Sequence, residues 1–501
     1  MDGPIRLLRP FLWGYFFLVL VLPGALVLWV TLTHFSPQVL NDKLYFSAFM
    51  NSLGIASSTA LLATLVGGTC AVLVAKFKLP GQKLWKLLLT LPIFFVPYQF
   101  ALAWSGLLPP GKLSLLFFSP WGVVFVLTGS FYPVAFWFSL VALGHLPPEE
   151  EESALLVAPP LKVFLKITLP RTGPYVLSAA LIIFLLAFSE IGVPTYLGVR
   201  VLPGEILTRF AAFYDIPGAL NAAFPLVLLG LGLFALEARL LGQGLCFQQR
   251  MSERGLCLPP GKFKLPFLFF LGFVVFLFLL LPFGSLIRKA LHLNKHALAL
   301  ALRHGGPSLL RSLVYALLGA YLAGLWSLIT IYLLKHKRRP FSLVTLLNFF
   351  LPPVVLAVGL IYLWKNVSLV YGSAMLLVLG LLARFTFFPY QILASAYAYL
   401  DPAAEEAALL CGADPLKILR KILYPQLRRW FYLGTMLFFV FSMNELGLST
   451  MLYPPGGEPL VVKLYTLSVN NPVGVSASLA LMNSLGTLAL ATLLYGKQRG
   501  D

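Results

Sequence analysis

A chain of 501 residues has room for several soluble domains, but 59% of it is hydrophobic and only 11% charged, where a globular protein has roughly 25%. With a mean hydropathy of +0.88 it cannot clothe a water-facing surface in polar side chains, which excludes a soluble enzyme, a nuclear factor and a disordered protein. The net charge of +19 does not point to nucleic acid, because the 37 Lys and Arg stand in short runs between apolar stretches, as at 76–86 and 335–339, like loops held on the cytoplasmic side of a bilayer.

In chain order, Arg6 and Arg9 precede an apolar run over 11–33. It is long enough to span a bilayer and lacks a small-residue cleavage site, so it reads as a retained first helix. Apolar stretches of about 20 residues then recur, centred near 22, 64, 96, 132, 186, 231, 276, 323, 353, 382, 441 and 486. This predicts an all-α polytopic membrane protein with about twelve spans. Most Lys and Arg fall on one side when both termini are placed in the cytoplasm, giving an N-in, C-in topology. The loop over 288–311 dissents, since Arg288, Lys289, Lys295, Arg303 and Arg311 land outside. Cys70, Cys246, Cys257 and Cys411 form no close pair and read as free thiols.

The chain repeats itself. Leu91-Pro92 matches Leu351-Pro352 at an offset of 260, and Glu150-Glu151, Leu161-Lys162, Ile167, Pro170 and Glu190 match Glu405-Glu406, Leu416-Lys417, Ile422, Pro425 and Glu445 at 255. Two six-span repeats, 1–242 and 265–501, are therefore expected, joined by a cytoplasmic linker over 243–264. An even number of spans per repeat makes them parallel copies.

Each repeat interrupts its apolar pattern most strongly between its fourth and fifth spans, over 145–174 and 398–429. In the second, Asp401 is placed to cap a helix with Pro402 at its first position, and Glu405 and Glu406 suit the positive end of its dipole. Gly412 ends that helix, Asp414 and Pro415 start another, and Pro425 is expected to end it. Ala408 and Gly412, four apart, would form a flat strip that another protein could approach closely. A solvated connector explains the polarity, but not why a strongly apolar chain builds the same angled element twice. A docking element for a cytosolic partner explains both.

Glu406-Ala407-Ala408, Gly412, Ile422 and Pro425 resemble the EAA motif of permease subunits of ATP-binding-cassette (ABC) importers, with Tyr424 where leucine is usual. The first copy is looser: Glu151-Glu152-Ser153 replaces EAA and Val157 replaces glycine, while Ile167-Thr168-Leu169-Pro170 fits fully. The resemblance implies a type I importer permease fold and assigns these residues to ATPase-coupling helices. It also implies a cytosolic ABC ATPase as partner, expected as a homodimer, and a periplasmic or lipid-anchored substrate-binding protein. The setting is a bacterial cytoplasmic membrane, with no nucleic-acid partner. The fused plan and Phe188-Ser189-Glu190-Ile191-Gly192, echoed by Asn444-Glu445-Leu446-Gly447, resemble ferric-iron importers most, with thiamine or aminoethylphosphonate as alternative substrates.

The sequence has no G-x-x-x-x-G-K-[ST] loop, so ATP is expected on the partner subunit, and no cofactor, catalytic residue or metal site is assigned to this chain. His292, His296 and His304 could pair at helical spacing, but Lys289, Lys295 and Arg303 around them would repel a cation. Glu190, Glu445 and Arg384 fall at membrane depth, where each costs about 2.5–3.5 kcal/mol to insert. Two readings of the glutamates stand side by side: carboxylates lining a translocation path for a cationic substrate, or braces for a break before Gly192 and Gly447. Arg384 reads as a packing residue or counter-charge. An ion-coupled secondary transporter is the rival class, and it would be expected to need more intramembrane carboxylates.

Overall fold

The computed structural model describes residues 10–33, 42–212, 216–240, 257–291, 295–334, 338–470 and 473–496. Cys246, His292, residues 335–337 and most of the expected linker lie outside them. Among the described residues the architecture is helical, and the single extended pairing is an isolated bridge between Phe77 and Leu258. Seven helices are long and apolar enough to cross a membrane, or ten if each of three sharply bent helix pairs is one span. The other two expected positions are also helical, as Phe224–Leu240 and Tyr424–Met443. They fall short of the spanning measure for physical reasons: the first has only 17 residues, and the second opens beside Arg428 and Arg429. The seventh span, Gly261–Leu291, begins inside the stretch expected to be linker.

The same devices appear in both halves. The third span of each is broken almost at a right angle, 92° between Gln82–Phe94 and Pro97–Ser105 and 108° between Arg338–Phe350 and Pro353–Trp364. Pro97 and Pro353 open the outgoing helices at their first position, where a missing N–H costs nothing. The second, fourth and fifth spans of the first half pack together, and so do the eighth, tenth and eleventh. In the first bundle a Cβ at Gly67 would lie 2.4 Å from the Tyr132 carbonyl oxygen, so only glycine allows that approach.

The first span of each half crosses to the other. Along the N-terminal helix, the Leu12 carbonyl accepts from Trp326 Nε1 at 3.3 Å, the Leu20 carbonyl from Asn348 Nδ2 at 2.7 Å, and the Tyr15 hydroxyl meets Thr386 Oγ1 at 2.8 Å. Reciprocally, Gly261–Leu291 sets Phe278 against Phe125 and Tyr132, and Ser285 Oγ donates to the Ala103 carbonyl at 2.9 Å. Lys289 Nζ donates to the Leu102 carbonyl at 2.6 Å, which puts the start of the dissenting basic loop beside the end of the third span. Cys70, Cys257 and Cys411 are unpaired thiols.

Candidate functional site

Each polar loop folds as a short helix, a bend, and the start of a long helix. In the second loop the short helix is Ala403–Leu410, with the Asp401 carboxylate accepting from the Ala403 amide at 3.0 Å. Gly412 takes φ +73°, and the Ala413 amide reaches back to the Ala408 carbonyl at 3.0 Å, a left-handed closure that glycine permits. In the first loop the helix is Pro148–Leu155, and the Ala158 amide instead bonds the Ala154 carbonyl at 3.0 Å. Without glycine, Val157 closes the bend differently.

Three expectations are corrected. Pro425 does not end its helix, since Pro415–Ile418 runs through a wide turn at Leu419–Leu423 into Tyr424–Met443. The first loop does the same through Phe164–Thr168 ahead of Pro170. The extra residue in the turn absorbs the missing proline N–H and relieves the ring's clash with the preceding turn, so the helix bends without stopping. Asp414 stands at the N-cap position but makes no side-chain cap bond. Ala408 packs on the core, so the small strip with Gly412 is not presented whole.

The glutamates part company. Glu151 is buried, ion-paired with Lys76 at the end of the second span, and its Oε1 accepts from Thr168 Oγ1 at 2.6 Å. Glu150 is more open and meets Arg171 at 3.0 Å. In the second loop it is Glu405 that is buried, accepting from the Tyr397 hydroxyl at 2.7 Å, with Arg338 4.3 Å above the Tyr397 ring. Glu406 and Ala407 are exposed, Ile167 and Ile422 half-buried, and Pro170 and Pro425 exposed. The first loop is thus anchored on Lys76 at the end of the second span, and the second on Tyr397 at the end of the tenth span, with Arg338 from the start of the ninth lying over the Tyr397 ring. Lys76 and Arg338 were missed in the sequence because nothing local marks them as neighbours of loop residues tens of positions away, and Tyr397, eight before Glu405, because nothing marks which glutamate turns toward it. Beyond the anchors the loops end in bare apolar tips, with Leu156 and Val157 each 87% exposed and Leu410 89%.

Just past the ends of the fifth and eleventh spans, both breaks are braced by their own glutamate. Glu190 Oε1 accepts from the Gly192 amide at 3.0 Å and the Val193 amide at 3.4 Å, and Glu445 Oε1 accepts from the Leu448 amide at 3.0 Å. Arg384, 2% exposed at its side chain, lies 3.5 Å from Glu445 Oε2 and donates to the Leu351 carbonyl at 2.8 Å. Both glutamates are half-buried. A further carboxylate, Glu237, is buried near the end of Phe224–Leu240 beside Ser178; its place inside an apolar run was the signal the sequence offered. Among the described residues no three His, Cys, Asp or Glu side chains gather as a metal site, and of the helically spaced pair His292 lies outside them and His296 lacks a described side chain.

No protein-family model matches the chain. Against known proteins, it is 23% identical, over 90% of its length and 87% of the relative's, to y4fN of Sinorhizobium fredii, assigned as an ABC transporter permease. Its relatives are ABC-transporter permeases. The ferric transport system permease FbpB of Actinobacillus pleuropneumoniae is 22% identical over 91% of this chain and 72% of its own length. A 2-aminoethylphosphonate transport system permease assigned in Salmonella paratyphi A, PhnV, is 28% identical over 35% of this chain and 67% of its own. With the apolar helices, this similarity makes the chain a multi-pass membrane transport subunit and not a catalytic one.

Proposed function

We propose that the chain carries both membrane domains of an ATP-driven importer, with one domain per repeat over 1–242 and 265–501. Coupling is assigned to the loops over 145–174 and 398–429, through Ile167 and Pro170 in the first and Glu406, Ala407, Ala408, Gly412, Ile422 and Pro425 in the second. Glu151, folded inward onto Lys76, holds the first loop in place. A cytosolic ABC ATPase, acting as a homodimer, binds the apolar tips on its two copies. When ATP closes that dimer it draws the loops together and switches a central cavity from inward- to outward-facing, where a substrate-binding protein delivers its cargo. Both termini lie in the cytoplasm, and the membrane is the bacterial inner membrane.

The observation that carries this reading is similarity to ABC permeases along nine-tenths of the chain, together with two anchored loops that end in uncovered apolar tips. Ferric iron is the favoured substrate, because the ferric relative aligns along 91% of the chain whereas PhnV aligns along 35%. Glu190 and Glu445 then stand beside the path for a cation. Purified alone, the chain is expected to hydrolyse no ATP; co-expressed with its ATPase it should co-purify with a vanadate-sensitive activity. Hydrolysis by the isolated chain after contaminant controls would overturn the reading. Uptake of labelled ferric iron and of labelled aminoethylphosphonate in a deletion strain decides the substrate.

A further inference from the structure

The two repeats diverge around the breaks that follow the fifth and eleventh spans. On one side Tyr98, Tyr196 and Tyr465 converge, with the Tyr98 ring 5.2 Å from Tyr196 and 5.5 Å from Tyr465, both edge-on. At the repeat offsets of 260 and 255 their counterparts are Val358, Met451 and Phe210, and these three also gather, as a small apolar cluster. The fold therefore builds one three-sided contact twice, with hydroxyls on one side and without them on the other. Those hydroxyls are wired into further oxygens: Tyr98 to Ser468 Oγ, Tyr196 to Ser105 Oγ at 2.8 Å, and Tyr465 to Thr195.

Charge is divided in the same way. A Cβ at Gly192 would lie 3.1 Å from Glu190 Oε1 and 3.5 Å from the Tyr98 Cβ, which sets that carboxylate beside the tyrosines. Among the described residues Glu190 has no cationic partner, whereas Glu445 has Arg384. The hydroxyl side thus holds a carboxyl group with no cationic partner among the described residues, and the apolar side a paired one. Gln99 Nε2 and Asn483 Oδ1 are buried with no partner among the described residues, at positions whose repeat counterparts are Gly359 and Leu228. Unpaired polar atoms inside an apolar body are expensive and mark a place where a ligand or its water is accommodated.

We propose that Glu190 with the hydroxyls of Tyr98, Tyr196 and Tyr465 forms a transit site for a hard cation bound through oxygen, present on this side of the molecule alone. The donors are carboxylate and hydroxyl oxygens, with no thiolate or imidazole, the set that hard cations prefer. An anion would meet the carboxylate in a weakly screening interior. The proposal rests on the import reading, since a transit site needs a path.

The test uses the purified full chain and Tb³⁺, a hard trivalent probe, with bound metal measured by equilibrium dialysis. Glu190→Gln, and separately the triple variant Tyr98→Phe, Tyr196→Phe, Tyr465→Phe, should each weaken binding by about tenfold or more. Glu445→Gln should weaken it distinctly less than Glu190→Gln. The phenylalanine triple keeps the rings and removes the oxygens, so unchanged Tb³⁺ binding in it overturns oxygen ligation, and tetramethylammonium displacing the metal would mark an aromatic cage for organic cations instead. Equal losses in Glu190→Gln and Glu445→Gln also overturn the asymmetry. Thermal unfolding confirms that each variant is folded. Wild-type chain that binds its ATPase but not Tb³⁺ defeats this site and spares the import reading; failure to bind the ATPase defeats the import reading itself.

Discussion

Lys76 and Glu151 show what a single pair does in this molecule. Their side chains are 11% and 4% exposed, so each charge is stable there because the other is present. Lys76→Met would strand a buried carboxylate at a cost of about 3–5 kcal/mol. We expect it to lower the thermal midpoint and to loosen the first loop, and the exchange Lys76→Glu with Glu151→Lys to recover much of the loss. An exchange variant no better than Lys76→Met would show that the pair's surroundings, and not its complementarity, hold the loop. The repeat offset equates Glu151 with Glu406, but burial equates it with Glu405. Two adjacent glutamates differ by about 100° around a helix, and sequence spacing alone does not say which turns inward. Gly412 makes the complementary case. Nothing lies within 4 Å of where its Cβ would be, so Gly412→Val is penalised by the left-handed backbone alone, about 1–2 kcal/mol. It should impair uptake and ATPase co-purification at matched membrane levels, while Val157→Gly, in a bend already closed without glycine, should be mild. Equal damage from both would refute the difference between the bends.

At the scale of elements, the wide turns before Pro170 and Pro425 set how the docking loops leave the membrane. Both turns are five residues long and lie at matching positions, Phe164–Thr168 and Leu419–Leu423. Pro425→Ala restores an N–H and removes the ring clash, so the turn can tighten to an ordinary helix. Losing the extra residue would rotate everything before it by about 100°. The expected result is an unchanged membrane level with weakened ATPase co-purification; a variant that couples normally would show the turn to be incidental. These loops were legible in the sequence because caps, prolines and Gly412 punctuate an otherwise apolar chain. Their continuation into the next span was not, since proline reads as a stop and only the packed helix reveals the bulge that carries it through. The same limit applies to the third spans: Leu91-Pro92 and Leu351-Pro352 declared a repeat, but not bends of 92° and 108°. Glu190 and Glu445 were legible as costly charges, while their bonds to the amides just ahead depend on local geometry that composition does not encode.

For the whole molecule, the decisive feature is the exchange of first spans, which no hydropathy pattern could announce because an apolar helix is equally at home against either half. Leu12, Phe16, Leu20 and Val27 of the first repeat are buried on the second, and Leu271, Val274, Val275 and Phe278 of the second are buried on the first. Leu281–Leu291 also packs on Val473–Gly496 of its own half, but the faces that cross to the other half would be left bare in lipid by either half alone, and close helix contact and the hydrogen bonds from Trp326, Asn348 and Ser285 supply the association there. The covalent link between the halves should then matter less than the exchange. Split after residue 250 and co-expressed, the halves should reassemble and co-purify, with uptake restored in large part. Expressed singly, each should be lost from the membrane. Deleting residues 1–41 from the first half should abolish co-purification even when the second half is abundant, since that removes the helix that clasps it. A first half that accumulates alone as a stable, folded species would mean that the exchanged helices decorate two self-sufficient bundles, and the molecule would have to be regarded as two domains merely tethered.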